Sequence, residues 1–298
     1  MPAVSGFLAR ACAEARERVA AARGHEPDHA LAQRASAVPP PPEFAAALAA
    51  PGVAVIAEVK RASPSRGHLA DIPDAAALAE AYATAGAAAV SVLTEPRHFA
   101  GSLDDLRAVA ASAEVPVLRK DFIVDGYQVL EAKAAGAAAV LLIVAGLDDR
   151  DLAALLRATE AAGLDALVEV HDVAEVDRAV AAASAADWGR RLVVGVNARD
   201  LTTLEVDPGR FAAVRDALPD GALAVAESGV RDPDDVRRLA SEGADAILVG
   251  ESVATASDPH AAVARLVAAG ARDAAGLGLS PSGPPDAALD TDDAGRRS

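Results

Sequence analysis

The chain has 298 residues, enough for one large α/β domain. Its 28 Lys and Arg against 44 Asp and Glu give a net charge of −16 at pH 7, which argues against nucleic acid or an anionic membrane as partner, so any phosphate must be held locally. With 52% hydrophobic but only 3% aromatic residues the core must be built from Ala, Val, Leu and Ile, and Cys12 as sole cysteine excludes an intrachain disulfide and a cysteine-only metal cage. There is no basic n-region leading an apolar h-region and no apolar run of about 18 residues, so a cytoplasmic protein without a membrane partner is expected.

Residues 7 to 23 have helical composition, with Glu14, Arg16, Glu17 and Arg18 among the alanines, until Gly24 and Pro27 stop the pattern. His25-Glu26-Pro27-Asp28-His29 fits the H-E-x-x-H spacing of zinc proteases, a motif that needs both histidines on one helical face. Pro27 disfavours helix at Glu26 and costs about 3 kcal/mol inside a helix, so a solvated loop and no metal site are expected. Pro39 to Pro42 reads as a stiff polyproline spacer and Glu43 to Ala50 as one short helix. Residues 1–50 are therefore expected to be a helical extension with a Pro-rich linker, ahead of a catalytic domain over 51–271.

From Val53 onward one pattern recurs: apolar strand, polar loop, alanine-rich helix, glycine, next strand. Strands are predicted to begin near Val53, Ala88, Val115, Ala138, Asp165, Leu192, Ala222 and Ala244, roughly 22 to 35 residues apart, the size of one βα unit. Gly86, Gly136, Gly163 and Gly243 fall where a helix C-terminal cap precedes the next strand. Eight such units, with no G-x-G-x-x-G after the first strand, predict an α/β fold closed as a (β/α)8 TIM barrel rather than a doubly wound open sheet. Ser184 to Arg191, carrying Trp188, reads as a structural loop insertion, and Arg272 to Ser298 as a disordered tail.

Such barrels place their sites at the C-terminal strand ends, and here nearly every strand ends in polar groups. The first offers Glu58 and Lys60, which the period of two points to one side, then a small-residue turn of Ser63, Pro64, Ser65 and Gly67 suited to an oxyanion. The third offers Arg119, Lys120 and Asp121, the fifth Glu169 and His171, the sixth Asn197 and Arg199, and the seventh Glu227, Ser228 and Gly229. The eighth ends in Gly250-Glu251-Ser252. Each partly buried charge costs desolvation unless paired, so their concentration at one rim points to catalysis. Gly229 and Gly250, after strands seven and eight, sit where barrel enzymes hold a phosphate against backbone amides, and Ser63 can add a contact. A phosphorylated small molecule is the expected substrate.

Seven ordered strings carry a resemblance: IAEVKRASPSRG at 56 to 67, VSVLTE with FAGSLDDL at 90 to 106, PVLRKDFIVDGYQ at 116 to 128, LVEVH at 167 to 171, GVNARDL at 195 to 201, AESGV at 226 to 230 and ADAILVG at 244 to 250. Together they resemble the indole-3-glycerol-phosphate synthase family of tryptophan biosynthesis, over nearly everything before the tail. The resemblance implies ring closure of 1-(2-carboxyphenylamino)-1-deoxyribulose 5-phosphate with loss of carbon dioxide and water, by a carboxy-lyase with no cofactor and no metal. It implies Lys120 as general acid and Glu169 as general base, with Lys60 and Glu58 assisting. Asn197, Arg199, Glu227 and Ser228 match the family's other polar site residues. Ser63, Gly229 and Gly250 match its phosphate contacts, and Pro64, Phe99, Phe122, Leu141 and Leu248 its apolar wall. Glu251 stands where many relatives have serine, and like-charge repulsion predicts that its carboxylate points away from the phosphate.

The chemistry suits these residues independently. Attack of an electron-rich ring carbon on a ketone needs a proton at the carbonyl oxygen, which an ammonium such as Lys120 supplies. Loss of the hydroxyl then needs an acid for the leaving water and a carboxylate for the ring-nitrogen proton, parts that Glu169, Glu58 and Lys60 can divide. Which of Arg199, Lys60 and Asn197 holds the anthranilate carboxylate stays open, as does which lysine is the main donor. Two rival readings remain: Lys120 as a Schiff-base nucleophile of a phosphosugar lyase, and a barrel that binds a phosphosugar without turnover. The expected assembly is a monomer or weak homo-oligomer.

Overall fold

A computed structural model of the chain describes residues 6–201 and 203–271, so the tail expected over 272–298 lies outside the described residues. The eight apolar runs become eight parallel strands: β1 (Ala54–Val59), β2 (Ala89–Leu93), β3 (Val117–Lys120), β4 (Ala139–Ile143), β5 (Asp165–Val170), β6 (Val193–Asn197), β7 (Leu223–Glu227) and β8 (Ala246–Val249). Each pairs with its sequence neighbours, and β8 returns to β1 with Ala54 opposite Ala246 and Ile56 opposite Leu248, closing the barrel. Closure leaves no sheet edge, and both faces of every strand are buried, which is why the runs are apolar throughout rather than alternating.

Alternation decides which face each residue serves. Val55, Ala57, Val90, Val168, Val194, Ala224 and Ile247 face outward, packed under the helix ring. Ile56, Leu118, Leu167, Val193, Leu223 and Ala246 fill the interior. Two residues further along the strand, or four on β7, the same inward row reaches the C-terminal rim at Glu58, Lys120, Glu169, Leu248 and Glu227. The polar rim is thus a continuation of the core's own inward positions.

Most of the longer helices that follow the strands start on Asp or Ser caps, the helix Arg210–Arg215 after Gly209 excepted. Asp74, Ser102, Asp125, Asp148, Asp172, Asp232 and Asp258 each accept a first-turn backbone N–H, satisfying a donor that helix geometry leaves unpaired, for about 1 kcal/mol apiece. Gly86, Gly136, Gly163 and Gly243 all take positive φ (95°, 87°, 72° and 89°) at the helix ends, where a Cβ would be strained.

Three helices precede the barrel: α1 (Phe7–His25), α2 (Asp28–Ser36) and α3 (Phe44–Leu48). The H-E-x-x-H string is split between the first two, with His25 ending α1 and His29 in the first turn of α2, so no common helical face exists. The loop expected there is instead a tight corner. Pro27 breaks α1 and then caps α2, Glu26 pairs with Arg34 at 2.7 Å, and Tyr127 donates to the Glu26 carbonyl. α3 plugs the N-terminal end of the barrel with fully buried Phe44 and Leu48, and the Ala45 N–H donates to Asp165 Oδ2 at 3.0 Å. Trp188 packs against the outer core, away from the rim, as its structural reading required. Among the described residues no helix is long and apolar enough to cross a membrane.

Candidate active site

Lys120, the last residue of β3, is the centre of the rim. Its Nζ donates to Glu169 Oε2 at 3.0 Å and to Glu227 Oε2 at 2.7 Å, from β5 and β7 respectively. Burial alone would depress the Lys120 pKa, but Glu169, Glu227 and Glu58 outweigh it and push it upward, so the amine is an ammonium. One ammonium between two carboxylates divides them. Burial pushes Glu227 up to about 7 against the pull of Lys120, with Glu169 adding repulsion. Burial alone would raise Glu169, but the charges of Lys120 and His171 overcome it and hold the carboxyl below its usual value.

On β1, Glu58 is buried, accepts from Ser91 Oγ at 3.1 Å, and lies 3.7 Å from the Lys60 ammonium. Lys60 also stands 5.6 Å over the Phe99 ring, a cation–π contact that aims it across the apolar wall. Asn197 ends β6 on the lining of the cavity, and its Oδ1 accepts the Arg199 N–H at 3.0 Å. Arg199 donates from Nη1 to the Leu204 carbonyl at 2.9 Å, which folds the following loop back over the rim.

Two adjoining cavities share this rim. The first, about 760 Å³ measured out to solvent, is lined by Glu58, Lys60, Ser63, Pro64, Phe99, Lys120, Phe122, Leu141, Glu169, Asn197, Arg199, Glu227, Ser228 and Leu248. The second shares Glu58, Lys60, Arg199, Glu227, Ser228 and Leu248 with the first and continues over Gly229, Gly250, Arg66 and Ser252. Every residue matched to the family's catalytic, substrate and phosphate positions therefore lines one of two adjoining cavities, with the two glycines at one end and the aromatic residues at the other, whereas Arg119, His171 and Gly67 line neither.

At the glycine end Ser228 (φ 67°) and Gly229 (φ 79°) are consecutive left-handed residues directly after β7. Ser228 carries a Cβ into that conformation at a cost of about 1–2 kcal/mol, strain of the kind found at ligand-binding turns. Gly250 is needed for space: a Cβ there would lie 2.6 Å from Glu58 Oε1. Ser63 is buried, its Oγ accepting the Arg66 N–H at 3.2 Å and lying 3.5 Å from Ser65 Oγ. The Glu251 carboxylate turns to Arg66, with Oε1 3.0 Å from Nε.

Sequence reasoning missed several participants. Phe7 of α1 reaches the first cavity from about a hundred residues away in sequence and packs edge-on to Phe122, with ring centroids 5.8 Å apart. Arg18 holds α1 to Asp121 at 2.8 Å, and Glu14 bonds His98 at 2.8 Å, so the extension is fastened to the loops after β2 and β3. Ser91, the partner of Glu58, carried a usable signal: it is the one hydroxyl inside the apolar run Val90–Leu93. Arg119 is excluded from the site by parity with Lys120. It points outward, bonded to Thr94, Asp121 and Glu131.

The fold and this rim are those of a (β/α)8-barrel enzyme, with an ammonium flanked by carboxylates at the C-terminal ends of its strands. A sequence profile of indole-3-glycerol phosphate synthase matches residues 8–266, and the chain belongs to that family. It is 57% identical over 245 residues to the indole-3-glycerol phosphate synthase of Parafrankia sp. (strain EAN1pec), covering 82% of this chain and 89% of the relative. To that of Mycolicibacterium smegmatis it is 56% identical over 240 residues, covering 80% and 86%. The family activity is that of a decarboxylating lyase of tryptophan biosynthesis.

Similarity to solved structures reaches further at the level of fold alone. 3-Hexulose-6-phosphate synthase from Salmonella typhimurium superposes with a TM-score of 0.54 at 17% identity, over 73% of this chain and 98% of that one. Thiamine phosphate pyrophosphorylase from Pyrococcus furiosus does so with a TM-score of 0.53 at 18% identity, over 73% and 94%.

Proposed function

We propose that this rim closes the indole ring of 1-(2-carboxyphenylamino)-1-deoxyribulose 5-phosphate with Lys120 as general acid and Glu169 as general base, assisted by Lys60 and Glu58. The observation that carries the assignment is the ammonium of Lys120 bridging Glu169 and Glu227 at 3.0 and 2.7 Å on the floor of the cavity. An ammonium so placed gives its proton to the ketone oxygen as the ring carbon attacks, and the paired carboxylates stabilise the cation until the transfer. Loss of carbon dioxide restores the aromatic ring. Lys60, beside Glu58, then protonates the departing hydroxyl and Glu169 takes the ring-nitrogen proton; water leaves, and a proton moves from the ring methylene carbon to the nitrogen to give the indole. Each well-placed acid or base is worth about 10²–10⁴ in rate.

Binding divides along the two cavities. Ser63 and the backbone amides of Gly229 and Gly250 take the phosphate, while Pro64, Phe99, Phe122, Leu141 and Leu248 enclose the anthranilate ring. Arg199, Ser228 and Asn197 hold the polar groups between, and Glu227 orients Lys120. The Schiff-base alternative needs a neutral amine, whereas three carboxylates around Lys120 favour its charged form. We assign residues 51–271 to the catalytic barrel and residues 1–50 to its extension. The acidic charge of −16 and the scattering of large exposed apolar side chains, Val173, Val180 and Val206, support a cytoplasmic monomer or weak homo-oligomer. The test is to supply the ribulose phosphate and follow indole absorbance; no product under any buffer condition refutes the assignment, and substrate-dependent borohydride trapping at Lys120 would replace it with Schiff-base chemistry.

A further inference from the structure

His171 lies two residues beyond Glu169, just past the end of β5, outside the lining of the cavity, and the reaction as written does not use it. It is nevertheless built in. The Asp172 side chain accepts the Glu175 N–H at 2.9 Å, capping the helix Val173–Ala185, and this fixes Glu175. Glu175 Oε2 in turn receives the His171 backbone N–H at 2.8 Å and faces its ring Nδ1 at 3.1 Å. A carboxylate oxygen already serving as acceptor requires a donor at Nδ1, which sets the tautomer. The other ring nitrogen, Nε2, is buried without a hydrogen-bond partner and lies 3.8 Å from Glu169 Oε1, itself buried and unpartnered.

In a neutral ring Nε2 would present a lone pair to that carboxylate oxygen in a site closed to water. Two buried acceptors facing each other are unfavourable, and a proton on Nε2 removes the conflict by making an ion pair. We propose that His171, as an imidazolium clamped by Glu175, is a positioning residue that keeps Glu169 ionised and so selects which of the two carboxylates beside Lys120 serves as the base. The inference rests on Glu169 being that base.

The groups facing the ring come from three directions. Glu169 stands on its own strand with Lys120 and Glu227 beyond it, Glu175 stands on the following helix, and Arg210 approaches from the helix Arg210–Arg215. Burial alone would lower the His171 pKa and Arg210 adds to that, but the hydrogen bond to Glu175 and the charge of Glu169 prevail and raise it. The same imidazolium helps lower Glu169, while burial and the charges of Glu169 and Glu58 raise Glu227.

The test has a spectroscopic arm and a kinetic arm. In the full-length protein with ¹⁵N-labelled histidine, His171 should show two protonated ring nitrogens at pH 7.5, where an unperturbed histidine of pKa about 6.5 is mostly neutral. The E175Q variant, which keeps a hydrogen-bonding side chain, should shift that titration downward and identifies the signal if H171N does not fold. In H171N the acid limb of the kcat–pH profile should move up by about 1 pH unit, with KM changed less than about twofold. That is a loss of about tenfold in kcat below the limb and little above it. A deprotonated Nε2 at pH 7 in the wild-type protein overturns the proposal, and so does an unmoved acid limb in folded H171N. Full turnover by E169Q would instead remove the assignment of Glu169 as base, and the role of His171 with it.

Discussion

The most economical perturbation of this site is a single methyl group at Gly195. On β6 this glycine stands opposite Glu169 of β5 and Val225 of β7, beneath the rim. A Cβ added there would lie 1.9 Å from Glu227 Oε1 and 3.0 Å from its Cδ, and 3.2 Å from Leu167 Cδ1. Leu167 has only a few tenths of an ångström to yield. Glu227 Oε1 must retreat by more than about 1 Å to reach ordinary contact, and the expected outcome is that the carboxylate swings far enough to lose the 2.7 Å bond that its Oε2 accepts from Lys120. Overpacking of this kind costs about 1–3 kcal/mol, so Gly195→Ala should fold with a melting temperature lowered by about 2–10 °C. Loss of one charge-assisted hydrogen bond to the proposed general acid is worth about 1.5–3 kcal/mol, or roughly 10- to 100-fold in kcat/KM. The assay is steady-state indole formation from the ribulose phosphate, with thermal unfolding measured on the same preparation. Wild-type turnover in Gly195→Ala would show that the position of Glu227 does not matter to Lys120, and the account of the site given above would fail at its centre.

Lys120→Ala should retain the fold while single-turnover chemistry falls at least about a hundredfold, and near-full turnover would remove Lys120 as the acid. Glu227, raised by burial from its usual 4.5 to about 7, holds a proton in the folded protein that the unfolded chain releases. That contribution to stability is complete below about pH 4.5 and is lost as pH rises through 7, so Glu227→Gln should gain stability relative to wild type between pH 5 and pH 8. Parallel denaturant curves for the two proteins at both pH values would contradict this. Phe7→Ala removes an aromatic wall contributed by α1 and should raise KM about tenfold with kcat within a factor of two to three, whereas an unchanged KM would detach the extension from binding. Glu251→Ser removes a carboxylate from the rim of the phosphate end and frees Arg66, so KM should fall a few-fold at low salt and converge with wild type at high salt. A KM insensitive to salt in both proteins would show that neither charge is felt there.

Much of this was legible in the sequence because barrels convert periodicity directly into position. The eight apolar runs and the glycines at 86, 136, 163 and 243 express local rules, namely buried strands and left-handed caps, and strand starts fell within two residues of those observed. The period of two then carried Glu58, Lys120, Glu169 and Glu227 inward and Arg119 outward once the strand ends were known. What stayed hidden depends on register and on contacts distant in the chain. No local signal reveals that Lys120 meets Glu227 at 2.7 Å, or that Gly195 is small because Glu227 needs its space. The start of α2 is hidden because Pro27 reads as a stop within His25–His29, although a proline that breaks one helix can cap the next. The tuning of Glu169 by His171 was similarly invisible, since it turns on which ring nitrogen Glu175 occupies.

The barrel and its extension divide the work along a physical line. A closed sheet can aim charges from separate strands at one point because its register is rigid, and Lys120 from β3 accordingly meets carboxylates from β5 and β7. It is less suited to enclosing an apolar ring, because rim positions must remain open for substrate to enter. Here α1 supplies that enclosure. Phe7 closes against Phe122, and the helix is fastened through Arg18 to Asp121 and through Glu14 to His98, contacts that a shift of α1 would break together. Two of the loops it grips also carry Phe99 and Phe122 on the cavity wall. Removing water from that side strengthens the Lys120–Glu169 pair electrostatically, so an element that contributes no proton donor still bears on proton transfer.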